Sequence, residues 1–280
     1  MEDFNLYDLL SIPGINETKV RCLLAQYRKP EAIHCASYDE LVNDRRIEPA
    51  LAERLVVYKR ENKLREAIKK AKDLDVKVIT FLDDEYPSNL KNIPHAPPVL
   101  FLRGRLKEGD ACAIAIIGTR RATSYGRSVA DRFAREFAEV GVTVVSGLAR
   151  GIDTQAHEGC LAAGGRTIAV MGTGIDRVYP SENRRLAEKI LKNGALVTEF
   201  NIGTQPLAMN FPKRNRIISG LSLGIVAVEA QEASGVMNTV NWALNQGREV
   251  FAVPGSIFSK FSMGTNSLIK AGASVAISAR

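Results

Sequence analysis

Seven short, nearly all-apolar runs recur from Ala111 onward: Ile114–Ile117, Val142–Val145, Thr167–Met171, Leu196–Thr198, Ile225–Val228, Val250–Val253 and Ser274–Ile277. A strand with one wet face alternates apolar and polar residues. These runs barely alternate, so both of their faces must be covered. A helix fits between each pair. The first such stretch carries Val129, Phe133 and Phe137 at helical spacing and then Gly141, a residue suited to a helix C-terminus. The pattern predicts an α/β fold with a doubly wound, mainly parallel sheet between helical layers. It also says where a site would lie, because such sheets bind ligands outside the carboxyl ends of their strands.

The first part of the chain follows a different period. Leu6, Leu9 and Leu10 precede the turn Ile12-Pro13-Gly14-Ile15, and Val20, Leu23, Leu24 and Tyr27 then recur at helical spacing. Lys59 to Lys72 reads as a charged amphipathic helix with Leu64, Ala67, Ile68 and Ala71 as its apolar stripe. Strand patterns begin with Val76–Phe81 and Val99–Leu102, the second ending at Gly104. The expected division is therefore a small N-terminal helical domain over residues 1–74 and an α/β domain over residues 75–280. Two short helices around a Pro-Gly turn resemble the helix-hairpin-helix and sterile-alpha-motif-like modules that touch DNA backbones. Asn16 stands where the hairpin's second glycine would be, and a plain packing module reads equally well.

The turns that follow the strands carry the chemistry. Ser146-Gly147-Leu148-Ala149-Arg150-Gly151-Ile152-Asp153 joins a strand to a helix through two glycines, which lets the backbone turn tightly and present N–H groups to a ligand. Gly118-Thr119-Arg120-Arg121 follows the first strand of the α/β region, and Gly172-Thr173-Gly174 precedes Tyr179-Pro180-Ser181-Glu182-Asn183. Asn210-Phe211-Pro212-Lys213-Arg214-Asn215-Arg216 opens a helix, with Pro212 suited to its first position. Cations at that end oppose the helix dipole, each at a cost of about 0.3–1 kcal/mol when exposed. Stacking Lys213, Arg214 and Arg216 there is explained by an anion held against the helix start, or by salt bridges to Glu199 or Glu229. Arg120, Arg121, Arg150, Lys213, Arg214 and Arg216 are expected to line one basic groove. A formal net charge of +7 agrees with an anionic partner.

Candidate catalysts are thin. The chain has no GxxxxGK[ST] loop, no HExxH and no paired carboxylates. Glu199 and Glu229 end strands on the functional edge but read better as partners of the arginines. Asp153 reads as a helix cap and His157 as a packing or surface residue. Cys22, Cys35, Cys112 and Cys160 form no CxxC pair, and His34, His95 and His157 are dispersed. The expectation is idle thiols in a reducing cytoplasm, with no metal and no cofactor. There is no apolar run of about 18 residues for a membrane span, and Met1-Glu2-Asp3-Phe4 does not begin a secretory leader.

Four blocks in order resemble the bacterial DNA-processing protein A (DprA/Smf) family. They are Ser146–Asp153; Phe211–Ser222; Gly247-Arg248-Glu249-Val250-Phe251-Ala252-Val253-Pro254-Gly255; and Gly264-Thr265-Asn266-Ser267-Leu268-Ile269 with Gly272-Ala273. The resemblance runs from about Val76 to Ile277. It implies an extended Rossmann-like domain that binds single-stranded DNA rather than a dinucleotide, and a homodimer that delivers the strand to the recombinase RecA in natural transformation or related recombination. It implies a phosphate-binding groove made by Gly118, Thr119, Arg120 and Arg121, by Ser146, Gly147, Arg150 and Gly151, and by Lys213, Arg214 and Asn215, with Thr173 nearby. Phe211 and Tyr179 are the candidates for base stacking. A dimer surface is expected among Ile257, Phe258, Met263, Leu268 and Ile269.

The match departs from the family pattern in three places. Ser234-Gly235-Val236-Met237-Asn238-Thr239 stands where members commonly carry Ser-Gly-Ser-Leu-Ile-Thr, and Ser181 stands where some place a lysine. The sequence ends at Arg280, without the winged-helix-like module of many members. The alternative reading is a nucleotide-hydrolysing enzyme of the phosphoribohydrolase type. It is disfavoured because Ser234–Trp242, where that chemistry needs a glutamate, has none. A dehydrogenase is weaker still, since Gly172-Thr173-Gly174 lacks a third glycine at the required spacing.

Overall fold

The computed structural model describes residues 6–279 apart from 11, 13, 14, 16, 44–46, 59–69 and 72. Its centre is one nine-stranded sheet: β1 (Lys77–Thr80), β2 (Val99–Gly104), β3 (Ala113–Ile117), β4 (Thr143–Ser146), β5 (Thr167–Val170), β6 (Ala195–Thr198), β7 (Gly224–Ala227), β8 (Glu249–Ala252) and β9 (Ser274–Val275). The strands lie in the order β1-β2-β6-β5-β4-β3-β7-β8-β9. From β6 to β9 every neighbouring pair is parallel, while β2 adds to β6 and β1 to β2 antiparallel. This is the doubly wound, mainly parallel α/β architecture that the apolar runs predict, and the Rossmann-like one that the family resemblance implies.

The pleat sorts alternate residues onto two buried faces. Ala113, Ala115 and Ile117 of β3 join one core, together with Ile225 and Ala227 of β7. That face is covered by α6 (Ser88–Lys91), α10 (Asn210–Leu221), α11 (Gly235–Asn245) and α12 (Met263–Lys270), through Leu90, Ile217, Ile218, Leu221, Val240, Ala243 and Leu268. Ile116 and Val226 point the other way, against α7 (Ser124–Glu139) and α8 (Ile152–Ala162). There Phe133 and Phe137 pack one turn apart with ring centroids at 6.1 Å. Helix α9 (Arg184–Asn193) covers the β5–β6 end through Leu186, Ala187 and Ile190.

The strand ends differ by one or two residues from the sequence expectation, and two of them are instructive. β4 runs one residue further, to Ser146, because the Ser146 hydroxyl donates to the Ile116 carbonyl at 2.7 Å and so satisfies a polar group inside the sheet. β9 stops at Val275, short of Ile277, and stands at the open edge with β8 on one side only.

The N-terminal helices are α1 (Leu6–Leu10), α2 (Glu17–Tyr27), α3 (Pro30–Cys35), α4 (Tyr38–Asn43) and α5 (Pro49–Val57). They bury their own cluster, including Leu9, Val20, Leu23, Ile33, Leu41, Leu51 and Leu55. Phe81 packs against that cluster from the end of β1, with the Arg21 guanidinium 5.7 Å from its ring centroid. The Pro13-Gly14 turn with Asn16, and the expected helix over 59–72 save for Ala71 and its neighbour Lys70, lie outside the described residues. No helix among the described residues is long and apolar enough to cross a membrane.

Candidate nucleic-acid interface

The chain runs outward from β3 to β6 in one direction and returns to place β7 on the other side of β3. The loops after β3 and β7 therefore leave the sheet in opposite directions and open a crevice between them, the usual ligand position in this architecture. A cleft of about 640 Å³ lies there. Ile117 to Arg121 line it after β3, Phe211, Pro212, Asn215 and Ile218 line it along one face of α10, and Gln231 and Ala233 to Val236 line it after β7. A small notch bounded by Gly147, Ala149, Arg150 and Tyr179 adjoins it, and Arg120 and Phe211 border both.

At the mouth Arg120 is exposed, and its guanidinium sits 5.3 Å from the centroid of Phe211. Tyr179 tilts against Phe211 as well, ring centroids 5.5 Å apart. A cation and two aromatic rings thus form one layered wall, with Arg121 exposed beside it. Lys213 is also exposed, with its ammonium 5.5 Å from the Phe200 ring centroid and 3.5 Å from the Glu199 carboxylate.

The Ser146–Asp153 loop is held from within. Asp153 Oδ2 accepts the amides of Gly147 at 3.2 Å and Ala149 at 3.3 Å, so Asp153 fastens its own loop rather than capping the helix start. Leu148 adopts φ +56°, and its carbonyl is held by Asn183 Nδ2 at 2.9 Å. A side chain on Gly147 would come within 2.6 Å of Arg214 Nη2 and 2.7 Å of Asp153 Oδ2. Gly151 has φ +77°, and a Cβ there would approach the Thr119 carbonyl to 2.4 Å. Only glycine meets either demand. Among the described residues the amides of Arg150 and Gly151 have no hydrogen-bond partner, and so remain available to an anion.

Several expected groove residues are committed to the protein itself. Arg214 is 3% exposed; Nη1 donates to the Gly147 carbonyl at 2.6 Å and also to the Val170 carbonyl. It is a brace under the loop, not a groove cation. Burial pushes its pKa down to about 10, against the pull of Asp153, so it stays protonated at neutral pH. Arg216 is buried as well, paired with Glu199 at 2.5 and 2.7 Å and donating to the His95 carbonyl at 2.8 Å. For Arg216 the salt-bridge explanation is the correct one. The Ser146 hydroxyl is spent on Ile116, and the Thr173 hydroxyl donates to the Arg177 carbonyl at 2.5 Å. Arg150 is exposed but makes a two-pronged pair with Glu182, both contacts 2.7 Å. Pro212 falls at the third rather than the first helical position, since α10 begins at Asn210.

The carboxylates have structural partners too. Glu229 is 2% exposed and receives the Thr123 amide at 3.0 Å and its hydroxyl at 2.5 Å. The Thr123 hydroxyl in turn accepts the Gly126 amide at 3.1 Å, so Glu229 and Thr123 close the N-terminus of α7 together. His157 is buried. The single proton of the Thr167 hydroxyl goes to the Val144 carbonyl, so His157 Nδ1–H is the donor in its 2.7 Å contact with Thr167 Oγ1. Burial, with Arg214 nearby, pushes the pKa of His157 down to about 3, so the ring is a neutral packing group.

Gly118, Thr119, Arg120, Arg121, Gly147, Arg150, Gly151, Phe211, Lys213 and Asn215 are brought to this one edge of the sheet. The residues missed from the sequence are Glu182 and Asn183, which tie down Arg150 and Leu148. Their signal was a Ser-Glu-Asn segment, a short 3-10 turn just before α9, which resembles an ordinary helix start. Of the expected dimer residues, Phe258 is 93% and Ile257 78% exposed, with Met263 exposed as well. Leu268 is buried in the core under α12, which removes it from that surface, while Ile269 is half-buried with part of its side chain on the same core.

Residues 77–280 match the family model of DNA recombination-mediator protein A. The chain is 43% identical over 201 residues to DNA processing protein DprA of Bacillus subtilis, covering 71% of this chain and 67% of that protein. It is 42% identical over 200 residues to protein Smf of Synechocystis, covering 70% of this chain but only half of the relative's length, 50%. Among solved structures it is similar to DNA processing protein A from Streptococcus pneumoniae, with TM-score 0.85 and 33% identity over 100% of this chain and 96% of that one. It is similar as well to DNA processing protein A from Helicobacter pylori, whose single-stranded DNA binding mode that structure describes, with TM-score 0.66 and 29% identity over 73% and 92% of the two chains. With most of the chain matched by the family model and the whole of it superposing on one relative, the chain belongs to the DNA recombination-mediator protein A family.

Proposed function

We propose that this chain binds single-stranded DNA along the phosphate backbone, without strong sequence preference, and delivers the strand to a RecA recombinase in natural transformation or related recombination. The observation that carries the binding step is the layered wall of Arg120, Phe211 and Tyr179 beside the open amides of Arg150 and Gly151. Cations and amides take phosphates while aromatic faces take bases of any identity, which is how sequence-tolerant strand binding is built. Delivery to RecA rests on family membership and on what the resemblance implies. The role is non-catalytic, because Asp153, Glu199 and Glu229 are each engaged by the protein's own donors. The cytoplasm is its compartment. The division near residue 75 belongs to the same reading, supported by the separate N-terminal apolar cluster and by a family match that starts at residue 77. The test is a salt titration with single-stranded and duplex oligonucleotides. Affinity for the single strand should fall log-linearly with salt, and equal affinity for duplex would refute a site built for one strand.

The Arg150–Glu182 pair competes with a phosphate for the same guanidinium. Both side chains are exposed, so the pair is weak and can be exchanged. Glu182→Gln removes the competitor and should raise affinity for single-stranded DNA by about two- to fivefold at low salt. Unchanged or lower affinity would mean that Arg150 does not meet the strand.

A homodimer through Ile257, Phe258 and Met263 is part of the proposal. Large apolar side chains exposed together are unusual on a monomer surface. Light scattering should report twice the chain mass, and Phe258→Asp should return it to one. A monomeric wild type would remove the dimer.

A further inference from the structure

The opposite edge of the sheet, where the parallel strands begin, holds a second cavity of about 1030 Å³. Its walls are the start of β1, the 104–107 turn after β2 and the end of α9. Gly104 has φ +82°, and a Cβ there would meet the Gly194 carbonyl at 2.4 Å, so only glycine lets the turn close on the helix end. The Arg105 amide donates to that carbonyl at 3.3 Å, and Arg166 joins the same two walls by donating to the carbonyls of Asn193 and Arg105. Carbonyls at the negative end of α9 are thereby covered. Ile79 and Leu102 form a buried apolar floor, with Leu106 half-buried beside them.

The charges of the lining fall into two groups. Arg166 is spent on Asp110, with contacts of 2.6 and 2.7 Å, and Lys77 is paired with Glu85. Arg105, Lys107 and Lys192 are exposed and have no ion-pair partner among the described residues. One carboxylate, Asp75, is likewise exposed and unpaired among them, at a backbone φ of +53°. Three cations suit a multiply charged anion, but a bare anion would be repelled by Asp75. A ribonucleotide uses every group. Its phosphates meet the cations, its ribose hydroxyls donate to the carboxylate, and its base covers the apolar floor.

We propose that this cavity is a second ligand site, for a ribonucleoside di- or triphosphate. Arg105, Lys107 and Lys192 hold the phosphates, and Asp75 selects ribose over deoxyribose by accepting from the 2′-hydroxyl. The site lies at the other edge of the sheet from the strand crevice, so both ligands can be held at once. It does not depend on the strand-binding reading.

The experiment is equilibrium dialysis of the full chain against ATP, GTP, their 2′-deoxy forms and inorganic tripolyphosphate, with and without a saturating oligothymidylate. At least one ribonucleotide should bind, about tenfold tighter than its deoxy form, since one hydrogen bond to a charged acceptor is lost. Tripolyphosphate should bind more weakly than that ribonucleotide, and the oligothymidylate should not displace it. Arg105→Ala with Lys192→Ala should lower nucleotide affinity at least about tenfold while affinity for oligothymidylate and the melting temperature stay unchanged, both side chains being exposed. Asp75→Asn, a residue suited to that positive φ, should narrow the ribose preference. Tripolyphosphate binding as tightly as ATP and GTP would reduce the cavity to a charged patch and overturn the proposal. Displacement by the oligothymidylate, or full affinity in the double variant, would put the nucleotide elsewhere and overturn it too. So would equal binding of the ribose and deoxyribose forms, an unchanged ribose preference in Asp75→Asn, or no binding of either ribonucleotide at millimolar concentration.

Discussion

Replacing Arg120 and Lys213 together with alanine is expected to weaken single-stranded DNA binding by about a hundredfold at low salt. A hydrogen bond to a charged group contributes about 1.5–3 kcal/mol, and two at the lower figure correspond to a factor of that size. The second signature is the salt slope. Each phosphate neutralised on a single strand adds about 0.7 to the slope of log affinity against log salt, so the double variant should lose about 1.4. Both side chains are exposed and their removal leaves no buried group unpaired, so the unfolding temperature should not move. A double variant that bound with wild-type affinity and slope would take the layered wall out of the phosphate track.

The second large effect falls on the fold. Arg214→Leu removes the brace between the Gly147 and Val170 carbonyls and leaves Asp153 buried without its opposing charge. Breaking one side of a buried pair costs about 3–5 kcal/mol, which in a chain of this size lowers the melting temperature by roughly 5–9 °C. Arg214→Lys keeps the charge but lacks the planar fork, so it should recover only part of the loss. The cycle with Asp153→Asn separates coupling from simple truncation. The double variant should be less destabilised than the two single changes added together, by more than about 0.5 kcal/mol. DNA binding should fall along with stability, because the loop presenting the Arg150 and Gly151 amides rests on Arg214. An Arg214→Leu variant melting at the wild-type temperature would show that the brace carries no weight.

The architecture was legible because burial on both faces leaves a mark on composition. Ile114–Ile117 and Ile225–Val228 are apolar at every position, and such runs have few alternatives to a central parallel strand. The strand-end turns were legible for the same reason, and with them the edge of the sheet where the site lies. The division of labour among the arginines was not. Arg214 and Arg216 lie two residues apart on α10 and both turn inward, each to a different acceptor set: one to backbone carbonyls of distant loops, the other to Glu199. Net charge and helix-dipole reasoning treat the three cations of that turn alike, yet Lys213 alone stays at the surface. Nor did the sequence signal that Glu182 would reach Arg150 across thirty-two positions, since nothing local marks either residue as the other's partner. Leu268 was misread in the same way. An apolar cluster near a C-terminal strand looks identical in sequence whether it faces the core or the solvent.

The segments that meet at the cleft and its notch come from positions about 118, 150, 211 and 234, and Arg214 is buttressed by carbonyls of the 150 loop and of the end of β5. No fragment of the chain contains a usable part of the grip. On the proposed reading, a half-folded molecule should be blind to nucleic acid, and affinity should arrive only when the last crossover closes. Occupancy and foldedness are then two readouts of a single event, so a saturating strand should raise the melting point of the whole α/β body at once rather than stiffen one corner of it.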